Sequence, residues 1–169
     1  MGSQPTKTSS SSASYSRSLK EGLDSLRDEI QLAFSWHRPS ILLAVSGTKS
    51  SLNKAQLALE KELAQSGQKV TGINPTDRSP DVIKAMCSMP NRGQVVFFVS
   101  GIGSANESLS RKAYSALNMH RELLVEHQIR VVFWLTKSEA ASLPHYAPDF
   151  WAFRHRVVEF NARLGASNK

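Results

Sequence analysis

The sequence has a single cysteine, Cys87, among its 169 residues. One cysteine cannot form an intrachain disulfide, and it cannot supply the several thiolates of a cysteine-rich zinc site. No apolar run approaches the roughly 20 residues that a membrane-spanning helix needs, and the serine-rich start has no continuous apolar segment of the signal-peptide type. The sequence therefore predicts a cytoplasmic protein with no membrane partner and no redox or zinc chemistry.

Acidic residues are fewer than basic ones, with 14 Asp and Glu against 21 Lys and Arg, so the formal net charge is +7. Such a balance can indicate an anionic partner such as nucleic acid. The excess is not concentrated, because residues 17–38 carry four charges of each sign and no block of like charge occurs elsewhere. Binding of nucleic acid is therefore the third and least favoured of the functions considered below.

The first 18 residues are poor in bulky apolar side chains. They contain eight serines, and Tyr15 is the only bulky residue, so they cannot bury enough apolar surface to offset the entropy lost on ordering. We therefore predict a disordered tail over residues 1–18, a single α/β domain over residues 19–164 and a short tail over residues 165–169.

An amphipathic helix is predicted at the start of this domain, over residues 19–36. Ser18 and Glu21 form a capping-box pattern at its start, and the residue before Pro39 is pushed out of the α region, which ends it. Apolar residues recur at steps of three and four, the spacing of one helix face: Leu19, Leu23, Leu26, Ile30 and Ala33.

Residues 41–160 alternate short apolar runs with helical patterns, and we expect them to form the core of the domain. Four runs have strand length: Ile41–Val45, Val70–Ile73, Val95–Val99 and Val131–Leu135. Leu143–Arg154 is irregular, with a short helix starting at Pro148, and residues 155–160 form either a fifth strand beside the first or a continued helix. Strands that alternate with helices predict a doubly wound α/β fold, with a mainly parallel sheet and helices on both faces.

One segment lies where such a fold would place a phosphate-binding loop, between the first strand and the helix after it. It comprises Ser46, Gly47, Thr48, Lys49, Ser50 and Ser51. The segment lacks the sequence G-x-x-x-x-G-K-[ST], in which the lysine reaches the terminal phosphates and the hydroxyl holds magnesium. Lys49 and Ser50 are placed to contact an anion, but a polar turn that caps a helix is the simpler interpretation.

Other catalytic groups are missing as well. The third strand runs into Ser100, where a nucleotide hydrolase would carry the acid that holds its metal. His120 and His127 lie seven residues apart on one helix, but no third ligand occurs at metal-binding spacing. We therefore predict no catalytic residue, no metal site and no cofactor.

Three segments of the C-terminal half carry a family resemblance: Leu117–Leu123, Arg130–Thr136 and Ala147–Arg154. Together they resemble the STAND branch of P-loop ATPases, which are signal-transducing relatives of AAA-type enzymes. In particular, they look like bacterial members that precede tetratricopeptide arrays or defence effectors. The resemblance covers about residues 41–160 and implies a five-stranded P-loop-NTPase-like sheet with the strand order 5-1-4-3-2.

The resemblance also implies roles for particular positions. Ser46–Ser51 would be a degenerate phosphate loop, Ser100 would stand at the position of the metal-binding acid, and Thr136 would be the sensor at the end of its strand. The first two positions depart from the family pattern, so the chain resembles the inactive offshoot of the family, in which the ATPase core is kept as a scaffold.

The leading hypothesis is therefore a non-hydrolysing interaction module, an adaptor or assembly subunit in a bacterial signalling or defence system. Its partner would be another protein or a second copy of the chain. The alternative is a switch of the STAND type that binds ATP or ADP through Lys49, Ser50 and backbone amides.

An aromatic segment near the C-terminus is the predicted interaction surface. Phe150, Trp151 and Phe153 are three aromatic residues within four positions, and Arg154 and Arg156 follow them. Because three such side chains cannot all point the same way, we expect one or two to be buried and another to be partly exposed. Exposed aromatic residues beside arginine are typical of binding hot spots; the alternative is that all three belong to the core.

Overall fold

The computed structural model describes residues 8–103 and 106–160, with side chains from residue 19 onward. The elements in chain order are α1 (Thr8–Ser35), β1 (Ser40–Ser46), α2 (Lys49–Gln65), β2 (Lys69–Ile73), α3 (Val82–Cys87), β3 (Val95–Ser100), α4 (Glu107–Glu126), β4 (Arg130–Thr136), α5 (Lys137–Tyr146), α6 (Pro148–Phe153) and β5 (Arg156–Phe160). None of these helices is both long and apolar enough to cross a membrane.

The five strands form one parallel sheet with the order β2-β3-β4-β1-β5. This order confirms the predicted strand order 5-1-4-3-2. It also confirms that residues 156–160 form a strand and not a continued helix. β1 lies between two partners: it pairs with β4 from Ser40 to Ser46, and with β5 from Leu42 to Ser46. Every residue of β1 is buried, as expected of a central parallel strand that helices cover on both faces.

Two separate cores lie on the two faces of the sheet. On one face α1 and α2 pack Leu26 and Leu59 against Trp134 and other residues that point from the strands to that side. On the other face α3 to α6 pack against the alternate strand residues, with Phe150 and Phe133 in edge-to-face contact. Successive side chains of a strand point to opposite faces of the sheet. Successive residues of β1 therefore belong to opposite cores.

Helix α1 begins at Thr8, ten residues before the predicted start at Ser18. The predicted capping box of Ser18 and Glu21 therefore does not begin the helix, and the predicted disordered tail is helical from Thr8 onward. Once a helix is nucleated, each added residue costs little, and serine and alanine are tolerated in it. Residues 1–7 and the predicted tail over residues 165–169 lie outside the described residues.

The segment that the sequence marks as irregular, Leu143–Arg154, is mostly helical. Its first four residues complete α5, and α6 begins at Pro148, where the sequence predicts a short helix. Helix α5 keeps Pro144 in its interior. The proline and the aromatic residues hide the helical period, which is the reason the sequence alone suggests a loop here.

Candidate functional site

The carboxyl ends of the strands meet at one edge of the sheet, where ligands bind in open α/β folds. Ser46 ends β1 and is paired with Thr136 at the end of β4, and Ser100 ends β3 on the other side of β4. The structure thus brings the three predicted strand-end positions to the same edge. This edge is the candidate functional site.

The connection between β1 and α2 is much shorter than a phosphate-binding loop. β1 ends at Ser46 and α2 begins at Lys49, so only Gly47 and Thr48 join them. Of the predicted loop Ser46–Ser51, one residue is therefore strand and three are helix. A phosphate cradle needs an extended loop whose backbone N–H groups surround the anion, and two residues cannot form one.

Thr48 closes the N-terminus of α2 by itself. Its hydroxyl oxygen accepts a hydrogen bond from the backbone N–H of Ser51 at 3.1 Å and donates to the Ser51 hydroxyl at 2.9 Å. A side chain that caps a helix in this way satisfies a backbone donor that would otherwise point at an anion. Lys49 and Ser50, which follow it, are exposed.

The predicted sensor residue, Thr136, is also a helix cap. Its side chain accepts from the backbone N–H of Glu139 at 3.2 Å, and the Glu139 carboxylate accepts from the backbone N–H of Thr136 at 3.0 Å. This is a complete capping box at the start of α5. The hydroxyl that would sense a nucleotide thus holds the next helix.

Glu139 is a buried carboxylate that the sequence reasoning missed. Its second oxygen accepts from the backbone N–H of Gly103 at 2.6 Å, which ties the loop after β3 to the start of α5. A side chain at Gly103 would collide with it, since a Cβ atom there would lie 2.9 Å from the Glu139 Cγ. The spacing Thr136-x-x-Glu139 is a capping-box pattern and was the available signal.

The hydrogen bond of the Ser100 side chain goes to an amide and not to an acid. Its hydroxyl donates to the side-chain oxygen of Asn74 at 3.4 Å, and the carboxylate of Glu139 is already bonded to two backbone N–H groups. Among the described residues no three His, Cys, Asp or Glu side chains are grouped closely enough to bind a metal ion.

A cavity of about 190 Å³ opens at this edge, between the first turns of α2 and the ends of β2, β3 and β4. We call it the amide pocket, because three of its ten lining residues carry side-chain amides, namely Asn53, Gln56 and Asn74. The lining also includes Lys49, Ser100, Trp134, Thr136 and Glu139.

The histidines and the cysteine considered in the sequence have structural surroundings. The Nδ1 atom of His120 lies 2.7 Å from the carboxylate of Asp81, a contact that joins α4 to the N-cap of α3. His127 is the C-cap of α4. Burial raises the pKa of the Cys87 thiol, which makes it a poor nucleophile.

The predicted interaction surface is divided by the structure. Phe150 is fully buried and belongs to the core, so its assignment to a surface was wrong. Trp151 and Phe153 are half-buried, and the guanidinium of Arg154 covers the Trp151 ring at 3.9 Å from its centroid. Arg156 binds α1 through the hydroxyl of Ser25 at 2.8 Å. Only Trp151, Phe153 and Arg154 remain as a continuous, partly exposed group.

The five-stranded parallel sheet with helices on both faces is a P-loop-NTPase-like α/β fold. Two solved structures share it: the RuvB Holliday junction branch migration motor of Thermotoga maritima, and the ORC2 protein of Aeropyrum pernix in its ADP form. The RuvB structure matches 84% of this chain and 45% of its own, with 14% identity and a TM-score of 0.52. The ORC2 structure matches 83% of this chain and 47% of its own, with 12% identity and a TM-score of 0.54.

The chain therefore spans less than half the length of either structure. Identities this low show the fold and no more. No protein-family model matches the sequence, and no curated protein matches it at a significant level.

Proposed function

We propose that this chain is a non-hydrolysing, P-loop-NTPase-like domain that serves as a protein interaction module, an adaptor or assembly subunit. The observation that carries the proposal is the two-residue connection between β1 and α2, capped by Thr48. With this geometry α2 begins directly at the strand end, and no loop surrounds a phosphate group. The fold persists while the part of it that binds phosphate is absent.

Two further observations support the loss of hydrolysis. Ser100 occupies the strand end at which a metal-binding acid would stand. The Thr136 hydroxyl accepts from the backbone N–H of Glu139 in the capping box of α5, so part of its hydrogen-bonding capacity is used within the fold. Phosphoryl transfer depends on groups that stabilise the charge of the transferred phosphoryl group, and these positions do not supply them.

The finer assignment, an inactive member of the STAND branch in bacterial signalling or defence, rests on the sequence resemblance alone. The alternative of an ATP- or ADP-binding switch through Lys49 and Ser50 is disfavoured by the same geometry. Both side chains are exposed on the first turn of α2, so they would meet a phosphate only at the surface.

The partly exposed group of Trp151, Phe153 and Arg154 is the surface that we propose for a protein partner or a second copy of the chain. It combines an indole face, a stacked guanidinium and an apolar ring, the residue types that dominate hot spots. Sedimentation of the full chain over a concentration series tests self-association. If the chain associates, Trp151→Ala should weaken the association by about 2 kcal/mol; an unchanged constant would exclude this surface for self-association.

The hydrolysis claim is tested by phosphate release from ATP and GTP with magnesium or manganese. We expect no turnover above background for the purified chain. The same baseline is expected for Lys49→Ala and for Glu107→Ala, which removes the first carboxylate after β3 along the chain. A measured rate that either substitution abolishes would contradict the proposal, because it would place a catalytic group at the edge of the sheet.

A further inference from the structure

A basic residue stands at or shortly before the first residue of every strand. In chain order these residues are Arg38, Lys69, Arg92, Arg130, Arg154 and Arg156. They are dispersed along the sequence, so no block of like charge reveals them. Because the five strands are parallel, their amino ends lie side by side at the edge of the sheet opposite the candidate functional site. We call the six residues the basic edge.

The basic edge carries little compensating negative charge. The connections that lead into the five strands contain no Asp or Glu. These connections are residues 36–39, 66–68, 88–94, 127–129 and 154–155. Two carboxylates come from the helices that end here: Glu29 pairs with Arg156 at 3.4 Å, and Glu126 is the last residue of α4. The edge therefore presents a positive charge that the fold itself leaves largely unneutralised.

Arg130 joins the middle of the basic edge. It is buried and donates to the backbone oxygens of Arg38 at 3.2 Å and of Gly93 at 2.9 Å. These two bonds hold the connections before β1 and β3 on either side of β4. Arg38 and Lys69 are exposed and Arg92 is half-buried. Within the part of the chain that the structure describes, none of these four cations forms an ion pair with a carboxylate.

An exposed indole lies at the same edge. Trp36 follows the last residue of α1, two positions before Arg38, and it is 70% exposed. The bases of single-stranded nucleic acid stack on such aromatic side chains while neighbouring cations bind the phosphates. An acidic polypeptide would pair with the cations but would gain little from the indole, and a duplex keeps its bases inside. The combination favours a single strand.

We propose that the basic edge and Trp36 bind single-stranded nucleic acid without sequence preference. The phosphates contact Arg38, Lys69 and Arg92, and a base stacks on Trp36. Buried Arg130 adds positive charge without touching the strand. Five strands spaced about 4.8 Å apart span about 19 Å, which is long enough for several successive phosphates. This surface goes beyond the proposed function and does not depend on it.

The test is fluorescence anisotropy of labelled oligo(dT) and oligo(U) of about 20 nucleotides, which is longer than a usual binding site for one domain. The two probes distinguish DNA from RNA, and the full chain is titrated into each at several salt concentrations. We expect saturable binding of at least one probe, with an affinity that falls as salt rises, because each neutralised phosphate releases counterions.

The double variant Arg38→Gln with Lys69→Gln should weaken this binding about tenfold, and it should reduce the slope of log affinity against log salt by about 1.4, or about 0.7 for each lost phosphate contact. The matched control is Lys54→Gln with Lys112→Gln. It removes the same charge from exposed positions near the starts of α2 and α4, at the other edge of the sheet, and it should bind like the original chain.

Trp36→Ala should weaken binding about tenfold through the loss of one stacked base, and its exposure lets the variant fold. Leu57→Ala is the control for an exposed apolar side chain, since Leu57 is 68% exposed in the middle of α2, and it should have no effect. The proposal would be overturned if neither probe binds, if both double variants weaken binding equally, or if Trp36→Ala binds like the original chain. Displacement of the probe by polyglutamate as effectively as by unlabelled oligo(dT) would also overturn it, and would assign the edge to an acidic protein.

Discussion

Threonine residues at two strand ends perform the same task in this protein. Thr48 lies just after β1 and Thr136 is the last residue of β4, and each caps the helix that comes next. In open α/β folds, polar residues at such strand ends often face a ligand. Here the side chains of both threonines accept from backbone N–H groups, so they stabilise the starts of α2 and α5.

Thr136→Ala should lower the free energy of unfolding by about 1 kcal/mol, the usual cost of losing an N-cap. The neighbouring Ser138 is exposed in the first turn of α5, and Ser138→Ala should change the free energy of unfolding by less than about 0.5 kcal/mol. Urea denaturation of both variants measures the difference. Equal effects would show that the capping box of α5 does not contribute.

His155 couples stability to pH through the amino end of β1. Its Nδ1 atom accepts from the backbone N–H of Ile41 at 3.1 Å, and burial, with the nearby charge of Arg38, lowers the pKa of the imidazole below its ordinary 6.5. The unfolded chain therefore binds this proton more readily than the folded chain. The contribution of His155 is present above pH 6.5 and is lost as the pH falls through the lower, folded pKa.

His155→Asn should remove that part of the acid destabilisation, because the asparagine oxygen can accept the same hydrogen bond without titrating. His37→Asn is the control, since His37 is exposed and its φ of 50° suits asparagine. The midpoints of urea denaturation, measured at pH values within the range of about 5 to 8 in which histidine titrates, give the effect. An unchanged pH dependence in His155→Asn would contradict this assignment.

At the scale of elements, the part of α1 whose side chains the structure describes, from residue 19 onward, packs on the sheet. Its buried residues begin with Gly22 and Leu23 and end at Ala33. A Cβ atom at Gly22 would lie 2.6 Å from a ring carbon of Phe160, so α1 lies directly on β5. This close approach occurs at Gly22, next to Leu23 of the predicted apolar face, and it fixes α1 against the edge strand.

Deletion of residues 1–18 should leave the melting temperature almost unchanged, because these residues carry almost no bulky apolar side chains that could contribute to a core. Leu26→Ala within that face should instead cost about 2–5 kcal/mol. Differential scanning calorimetry of the truncated and full chains measures the comparison. A loss of several degrees on truncation would show that the N-terminal segment packs on the domain.

Phe150 and Trp151 are neighbours on α6 with different surroundings. Phe150 is fully buried against Phe133, and Phe150→Ala should lower the free energy of unfolding by about 3–5 kcal/mol. Trp151 is half-buried beneath Arg154, so Trp151→Ala should cost less than half as much, and Lys49→Ala should cost nothing measurable. Chemical denaturation of the three variants checks the order, and equal losses for Phe150 and Trp151 would place Trp151 in the core.

The elements could be predicted from the sequence where one period dominates. The continuous apolar runs of β1, β3 and β4 and the stripe of α1 lead directly to the observed sheet and its covering helix. Helix α5 could not be found in this way, because Pro144 interrupts its helical pattern. The start of α1 could not be found either, because its first residues are mostly serines and carry no apolar stripe. Local patterns also cannot show Arg130, a buried guanidinium that donates to the backbone oxygens of Arg38 and Gly93 at 3.2 and 2.9 Å.

The sequence predicts where the candidate site lies in the fold, but it does not predict the short connection after β1 or the helix caps found there. The sequence places Ser46, Ser100 and Thr136 at strand ends, and a parallel sheet brings such ends to one edge. It does not show that the connection after Ser46 has only two residues, because the helical pattern of α2 has no apolar residue before Leu52. The Ser46 hydroxyl and the Trp134 indole N–H are buried with no hydrogen-bond partner among the described residues. This depends on packing across the sheet, which no local sequence pattern shows.

At the scale of the whole molecule, the chain keeps the sheet and both helical layers of a P-loop NTPase domain. Two apolar cores stabilise these layers, one on each face of the sheet. None of the residues from Ser46 to Ser51 belongs to either core, so the fold does not depend on the side chains of this segment.

Thermal-shift titration of the full chain with ATP and ADP, each with and without magnesium, tests the central claim most directly. A ligand present at 100 times its dissociation constant stabilises the folded state by about 2.7 kcal/mol, which is readily detected as a rise in melting temperature. The account predicts no rise with either nucleotide at millimolar concentration, for the original chain and for Lys49→Ala alike. A saturable rise that requires Lys49 would contradict it and would favour the nucleotide-binding switch.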